Sequence, residues 1–95
     1  MFVESNDLFF GFGDTGLALF DGSGNATSGD VSAQVMLWDA GTEANQWPGL
    51  GADQPLRQSA ANTGAADGYN TVRGVNDAFN YPDVTDVIRV SLRPQ

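Results

Sequence analysis

Two carboxylates stand four residues apart in the run Trp38-Asp39-Ala40-Gly41-Thr42-Glu43. The Ala-Gly pair between them favours a turn, which would fold Asp39 and Glu43 back toward one point. The Thr42 hydroxyl and the backbone carbonyls of the turn add further oxygen atoms, and a flexible, all-oxygen ligand set suits a hard cation, above all Ca²⁺. The alternative is that both acids are ordinary solvated loop residues, and spacing alone favours it, because acidic side chains are common on protein surfaces.

A second acidic cluster is the run Asp21-Gly22-Ser23-Gly24-Asn25. Its alternating oxygen donors are similar to the opening of a calcium-binding loop. The match then fails, because Ala26 stands at the position of the loop glycine and Ser32 at that of the closing glutamate. Since Asp-Gly and Gly-Asn are standard turn formers, this cluster is predicted to be a hairpin turn.

The missing residue types exclude several kinds of active site. The chain has no histidine, cysteine or lysine. A Ser-His-Asp triad, a cysteine nucleophile, a His/Cys zinc site and lysine Schiff-base chemistry are therefore excluded. Carboxylate pairs remain, but nothing singles out a glycosidase-like couple. The prediction is that the protein is not an enzyme; the contrary hypothesis would need a pocket holding an isolated acid of raised pKa.

The charge of the chain restricts its partners. Twelve acids against four arginines give a formal net charge of -8. Nucleic acids and anionic membranes need basic surfaces, so both are disfavoured, whereas cations and basic surfaces are favoured. Solubility alone is the alternative reason for such acidity. Acidic chains without lysine or cysteine are common among secreted proteins, which favours an extracellular location. No apolar run approaches the ~20 residues that span a bilayer.

The elements that must position these acids are predicted to be strands. Twelve glycines and four prolines separate short apolar runs, and no helical period is convincing. Alternating apolar residues predict strands most clearly near the middle and the end of the chain. The predicted strands are Leu8 to Phe12, Leu17 to Phe20, Val31 to Leu37, Ile88 to Arg93 and, more weakly, Thr71 to Val75. Asn45 to Asp67 is predicted to be one long irregular loop, and loops of this length are usually functional or disordered.

Ninety-five residues predict a single domain, residues 1–95, with a thin margin of stability. No disulfide can add to that margin, but a bound metal ion or a partner chain can. The apolar start Met1-Phe2-Val3 is typical of the middle of a strand. Two hypotheses follow: either a few short strands close a compact fold, or another chain supplies further strands.

Four runs of the sequence occur in the order seen in a known family. They are Ser5-Asn6-Asp7-Leu8-Phe9-Phe10, Gly16-Leu17-Ala18-Leu19-Phe20, Leu37-Trp38-Asp39-Ala40-Gly41-Thr42-Glu43 and Val87-Ile88-Arg89-Val90. Together they resemble the spondin N-terminal domain family, and its bacterial members most. The resemblance implies an extracellular β-sandwich, similar to C2 domains, that binds calcium and serves adhesion to matrix or cell surface.

The resemblance also implies a set of metal ligands. Asp7 carries over from the first run, and Asp39 and Glu43 from the third. Glu43 stands where animal members have Asp. The resemblance covers nearly all of this chain but only about the C-terminal half of the family domain. A natural minimal version, a fragment of a longer protein and a subunit completed by a neighbour all remain open.

The sequence therefore predicts an all-β fold, a small antiparallel β-sandwich (C2-like or jelly-roll-like) with one long irregular loop. One divalent cation, Ca²⁺, is expected near Asp7, Asp39 and Glu43, where it would hold the strand-end loops together. The first functional hypothesis is a non-catalytic, extracellular module for adhesion or for binding a protein, matrix or surface ligand. The second is a self-assembling subunit of a secreted fibre or surface layer, a homo-oligomer whose sheet is completed by strands of a neighbouring chain.

Overall fold

The structure, a computed structural model, describes residues 7–54, 57–60 and 63–95. Strands are the main regular elements in these residues, and helix is scarce. In chain order they are β1 (Leu8–Phe12), β2 (Gly29–Asp30), a 3-10 helix (Ser32–Gln34), β3 (Val35–Asp39), β4 (Arg73–Gly74), α1 (Val84–Val87) and β5 (Ser91–Leu92).

The strands form two small sheets. One has three strands in the order β1-β3-β4, and the other has two, β2 and β5. The β3–β4 pair is antiparallel, with Trp38 opposite Gly74 and Asp39 opposite Arg73. The β2–β5 pair is also antiparallel, with Asp30 opposite Ser91. The prediction of a mainly antiparallel β protein is therefore confirmed.

Two of the predicted strands, β1 and β3, are present in the structure. The prediction for β1 is confirmed at both of its ends. The strand predicted from Val31 begins only at Val35, because Ser32–Gln34 form a 3-10 helix. The Asp30 carboxylate accepts a hydrogen bond from the Ser32 backbone N–H, a local alternative to the strand ladder. The strand then continues through the tryptophan to Asp39.

The weaker strand prediction, Thr71 to Val75, is confirmed only for the two residues of β4. Two other strand predictions are corrected by the structure. Leu17 to Phe20 is not a strand; only Phe20 forms an isolated bridge, with Ala26. The bridge closes the hairpin that the Asp21 cluster predicted, in which Asp21 N–H donates to the Asn25 carbonyl at 2.9 Å. The last predicted strand is reduced to the two residues of β5. The short helix α1, which precedes β5 in the chain, was not predicted from the sequence. Burial still alternates from Ile88 to Arg93 as predicted.

The chain divides into two compact units. Unit 1 comprises the residues up to Phe10 together with Leu37–Asn80. Unit 2 comprises Gly11–Met36 together with Tyr81–Gln95. Of the described apolar side chains, Leu8 is buried in unit 1, and Val31 and Val35 are buried in unit 2.

The interior of unit 1 is unusually polar. Among its described residues, four carboxylates are buried, together with Gln54. They belong to Asp7, Asp39, Glu43 and Asp67. Buried charges are costly unless they are paired and hydrogen-bonded, so their partners decide how this unit is held together.

The long loop of unit 1 is irregular in its described residues, as predicted. Its turns are closed by backbone hydrogen bonds, such as those from the Leu50 and Gly51 N–H groups to the Trp47 carbonyl. The Trp47 ring packs edge-on against Phe79 with centroids 5.5 Å apart. The strand-like start expected at Met1-Phe2-Val3 lies outside the described residues. Within those residues, no helix has the length and apolar character needed to cross a membrane.

Candidate functional site

The turn between Asp39 and Glu43 forms at the end of β3, where the sequence predicts it. Gly41 adopts a positive φ of 72°, which L side chains rarely adopt. A Cβ atom at this position would also overlap the carbonyl oxygen of Thr71. The Asn70 N–H donates to the Gly41 carbonyl at 2.9 Å, so the residues before β4 lie directly against this turn.

Asp7 is buried against the same turn, with only 2% of its surface exposed. Its Oδ2 accepts hydrogen bonds from the N–H groups of Thr42 and Glu43, each at 2.9 Å, and from the Thr42 hydroxyl at 3.2 Å. The Ala40 N–H donates to the Asp7 carbonyl at 3.1 Å. Its other carboxylate oxygen, Oδ1, is buried and has no hydrogen-bond partner among the described residues. Asp7 therefore organises the turn with one oxygen and leaves the other unsatisfied.

Asp39 is fully buried, and several donors surround its carboxylate. Oδ1 accepts a hydrogen bond from the Gly41 N–H at 2.7 Å. Oδ2 accepts from Asn45 Nδ2 at 3.1 Å and from Arg73 Nε and Nη2 at 3.3 and 3.1 Å. The guanidinium is a full positive charge, so the charge of Asp39 is compensated inside the protein.

Glu43 is 4% exposed and is held by neutral donors. Oε1 accepts from the Gly64 N–H at 2.9 Å, and the Gln58 amide donates to both oxygens at 3.2 and 3.1 Å. The same amide also donates to the carbonyl of Asp53. Glu43 thus ties the end of the β3 turn to the long loop, and no arginine among the described residues forms an ion pair with it.

Arg73 and Asp67 are the parts of this cluster that sequence reasoning missed. Arg73 Nη2 lies 3.1 Å from Asp39 Oδ2 and 3.0 Å from Asp67 Oδ2, so one nitrogen bridges two carboxylates. The guanidinium carbon stands 3.3 Å above the centre of the Tyr69 ring, a cation–π contact. Burial opposes the charged form, but the bonds to Asp39 and Tyr69 and the two carboxylate charges raise the pKa of Arg73.

Asn45 extends the cluster away from Asp39. Its Nδ2 donates to Asp39 Oδ2 and, at 2.8 Å, to Asp77 Oδ2. Its Oδ1 is buried and, within the described part of the chain, accepts no hydrogen bond. Asn45 Oδ1 and Asp7 Oδ1 are thus both buried acceptor oxygens without a donor from the described residues.

The cluster has an excess of negative charge. The described residues of the cluster include four buried carboxylates and one guanidinium, that of Arg73, which contacts only Asp39 and Asp67; the formal excess is three negative charges. In the part of the chain that the structure describes, no group of three or more acidic side chains is arranged to hold a metal ion by itself. The three predicted ligands lie in one unit around one turn, but each carboxylate has its own set of hydrogen-bond donors.

These observations allow a test of fit for a cation. The Oδ1 of Asp7 is a buried carboxyl oxygen without a donor among the described residues, and a cation or a water proton would complete it. Glu43 has no cationic partner among the described residues, so it fits a cation as well. Asp39 fits only if Arg73 gives up its place, because a guanidinium beside the carboxylate repels a second cation.

The Asp21 cluster is a turn and has the partners of one. Asp21 Oδ1 accepts the N–H groups of Ser23 and Asn25, each at 2.9 Å, on an exposed hairpin. The bond from the Asn25 N–H is the largest of the interactions that lower the pKa of Asp21. These hydrogen bonds explain the position of the Asp21 carboxylate without a bound ion.

Comparison of the chain with protein-family models, with curated proteins and with solved structures gives no significant match.

Proposed function

We propose that this protein is a non-catalytic, extracellular β-sandwich module, of the C2-like or jelly-roll-like kind, that is stabilised by one Ca²⁺ ion and serves adhesion or surface binding. Asp7, Asp39 and Glu43 are the proposed ligands. The observation that carries the calcium site is the buried Oδ1 of Asp7, for which residues 7–54, 57–60 and 63–95 provide no hydrogen-bond partner.

Charge supports a cation over a water molecule at this oxygen. A water molecule would satisfy one acceptor but leave the excess of three negative charges unchanged. A divalent cation would satisfy the acceptor and remove most of the excess, and Ca²⁺ accepts irregular sets of carboxylate, carbonyl and water oxygens. The ion would supply positive charge, and the residues of the chain would hold it in place.

The stabilising effect of calcium should be large enough to measure. Ligands that bind only the folded state stabilise it in proportion to the logarithm of their concentration over the dissociation constant. For a site in the millimolar to submillimolar range typical of extracellular modules, 10 mM Ca²⁺ should raise the Tm by about 5–15 °C over a chelator.

The test compares the wild type with Asp7→Asn and Asp14→Asn, each melted in 10 mM Ca²⁺ and in chelator. Asp7→Asn keeps an oxygen for the N–H groups of Thr42 and Glu43 but removes the charge, so the calcium response should disappear. Asp14 is exposed in unit 2. Its variant has the same change in net charge and should respond like the wild type. An identical Tm of the wild type in calcium and in chelator would refute the site.

The second candidate function is a self-assembling subunit of a fibre or surface layer. The observation that favours it is an apolar groove of about 350 Å³ in unit 2. Leu19 and Phe20 line the groove and are more than half exposed. Apolar surface of this kind is typical of contact sites, although the net charge of -8 opposes association of identical chains unless cations neutralise it.

Light scattering with and without Ca²⁺ separates the two candidates. Growth of the particle mass in calcium, abolished by Phe20→Ser, would favour the assembling subunit. A monomer at all calcium concentrations would favour the adhesion module.

A further inference from the structure

We infer that Arg73 is an internal counter-ion that competes with calcium for Asp39, so that the site holds either the guanidinium or the metal ion at that carboxylate. The inference rests on the proposed calcium site and assigns to Arg73 the role of tuning its affinity.

The geometry gives Arg73 two carboxylates and one ring to hold it. The Nη2 atom contacts Asp39 and Asp67 at nearly equal distances, 3.1 and 3.0 Å. The Tyr69 ring lies under the guanidinium. If the contact with Asp39 is broken, the contacts with Asp67 and Tyr69 remain, and the guanidinium keeps a compensated charge. Arg73 can therefore leave Asp39 without leaving the unit.

The acceptor capacity of Asp39 supports competition over simultaneous binding. Its Oδ2 already accepts three hydrogen bonds, two of them from Arg73, whereas its Oδ1 accepts one. A calcium ion on this carboxylate would stand close to a positive guanidinium in a fully buried position, where repulsion between like charges is strong. Metal binding at Asp39 thus requires that the two bonds from Arg73 be released.

The two possible roles of Arg73, competing with calcium for Asp39 and holding the fold around the site, predict opposite effects of the same substitution. If Arg73 merely holds the fold around the site, Arg73→Gln weakens calcium binding. If Arg73 competes for Asp39, Arg73→Gln destabilises the calcium-free protein but strengthens calcium binding, by on the order of tenfold. Arg93→Gln, at an exposed arginine of unit 2, has the same change in net charge and should alter the affinity by less than about twofold.

A double-mutant cycle tests whether the effect passes through Asp39. In an Asp39→Asn background the carboxylate charge for which the cations compete is absent, so Arg73→Gln should change the calcium affinity much less than it does in the wild type. An effect of equal size in both backgrounds would mean that Arg73 acts by general repulsion, and would overturn the inference.

Nuclear magnetic resonance of the arginine Nε–H groups gives a readout that needs no variant to bind calcium. The chain has four arginines, and Arg73→Lys, which keeps the charge, identifies the signal of Arg73 by its loss. That signal should shift on calcium addition because the Nε–H bond to Asp39 is broken, while the signal of Arg89 stays in place. Arg73→Met, which also removes the charge, replaces Arg73→Gln in the titration if the latter does not fold.

The outcomes separate this inference from the proposed function. Calcium binding by the wild type with equal or weaker binding by the neutral variant Arg73→Gln, or an unshifted Arg73 signal, overturns the competition and leaves the calcium site standing. Absence of calcium binding in both the wild type and the Arg73 variants overturns both proposals. Stronger binding by Arg73→Gln, with a reduced effect in the Asp39→Asn background, supports both.

Discussion

Units 1 and 2 contain the same local arrangement in two different surroundings. In each, a strand ends in an aspartate whose Oδ1 accepts the N–H of the residue two positions later and whose Oδ2 accepts from an arginine. In unit 1 this aspartate is Asp39, which is fully buried beside the mostly buried Arg73. In unit 2 it is Asp30, 45% exposed beside Arg89, which is 80% exposed.

The difference between the two pairs lies in burial and not in distance. The closest contacts are 3.1 Å for Arg73–Asp39 and 2.9 Å for Arg89–Asp30. Solvent screens the exposed pair and competes for its groups, so such pairs contribute little to stability. The buried pair has no solvent to replace a lost partner, so removal of one member leaves an uncompensated charge. A list of ion-pair distances alone would rank the two pairs in the wrong order of importance.

The largest expected effect comes from breaking the buried pair. Asp39→Ala should lower the free energy of unfolding by about 3–5 kcal/mol, because the four hydrogen bonds that the buried carboxylate accepts from Gly41, Asn45 and Arg73 are lost. Asp30→Ala, the matched change in unit 2, should cost far less. Urea denaturation of both variants measures the contrast, and equal losses would show that burial does not distinguish the pairs.

A smaller effect is expected from the turn that presents the acids of unit 1. Gly41→Ala should cost about 2–4 kcal/mol, because the positive φ is strained and the new methyl group meets the Thr71 backbone. Gly16→Ala is the control: it has a similar φ of 68° but no atom within 4 Å of the added Cβ. It should show the strain alone, about 1–2 kcal/mol. Losses of the same size would contradict the steric part of the argument.

The smallest effect concerns acid unfolding in unit 2. The Ser32 hydroxyl and backbone N–H, followed by Arg89, lower the pKa of Asp30 from 3.8 to about 2. A carboxyl whose pKa is lower in the folded state stabilises the fold above its unfolded pKa. This contribution is therefore complete above about pH 3.8 and is lost as the pH falls through 2.

Asp30→Asn should remove that contribution. The difference in stability between the variant and the wild type, followed by urea denaturation at several pH values, should shrink as the pH falls from 4 to 2. A difference that stays constant over this range would contradict the assigned pKa of Asp30.

The sequence predicted those features that local chemistry determines. β1, the turn after Asp39 and the hairpin at Asp21 follow from apolar alternation and from turn-forming residues, and all three are present. The prediction of a strand from Leu17 to Phe20 was wrong, because apolar composition does not show whether a second strand is available for pairing. The predicted start of β3 was wrong, because the Asp30 carboxylate accepts a local hydrogen bond from the Ser32 N–H and the chain forms a 3-10 helix before the strand begins.

The hydrogen-bond partners of the buried acids could not be predicted from the sequence, for a different reason. Arg73 lies 34 positions from Asp39, and Gly64 lies 21 positions from Glu43. No local pattern selects one arginine or one amide among many at such separations. Asp7 entered the candidate set through the family resemblance, and nothing in its own neighbourhood in the sequence indicates that it is buried against residues 42 and 43.

Direct calorimetric titration of the wild-type protein with Ca²⁺ tests the central claim, that the charge excess inside unit 1 is balanced by one bound cation. We predict saturable binding of one calcium ion per chain, lost in Asp7→Asn and retained in Asp14→Asn. Absence of binding at millimolar calcium, or binding that Asp7→Asn leaves unchanged, would contradict it.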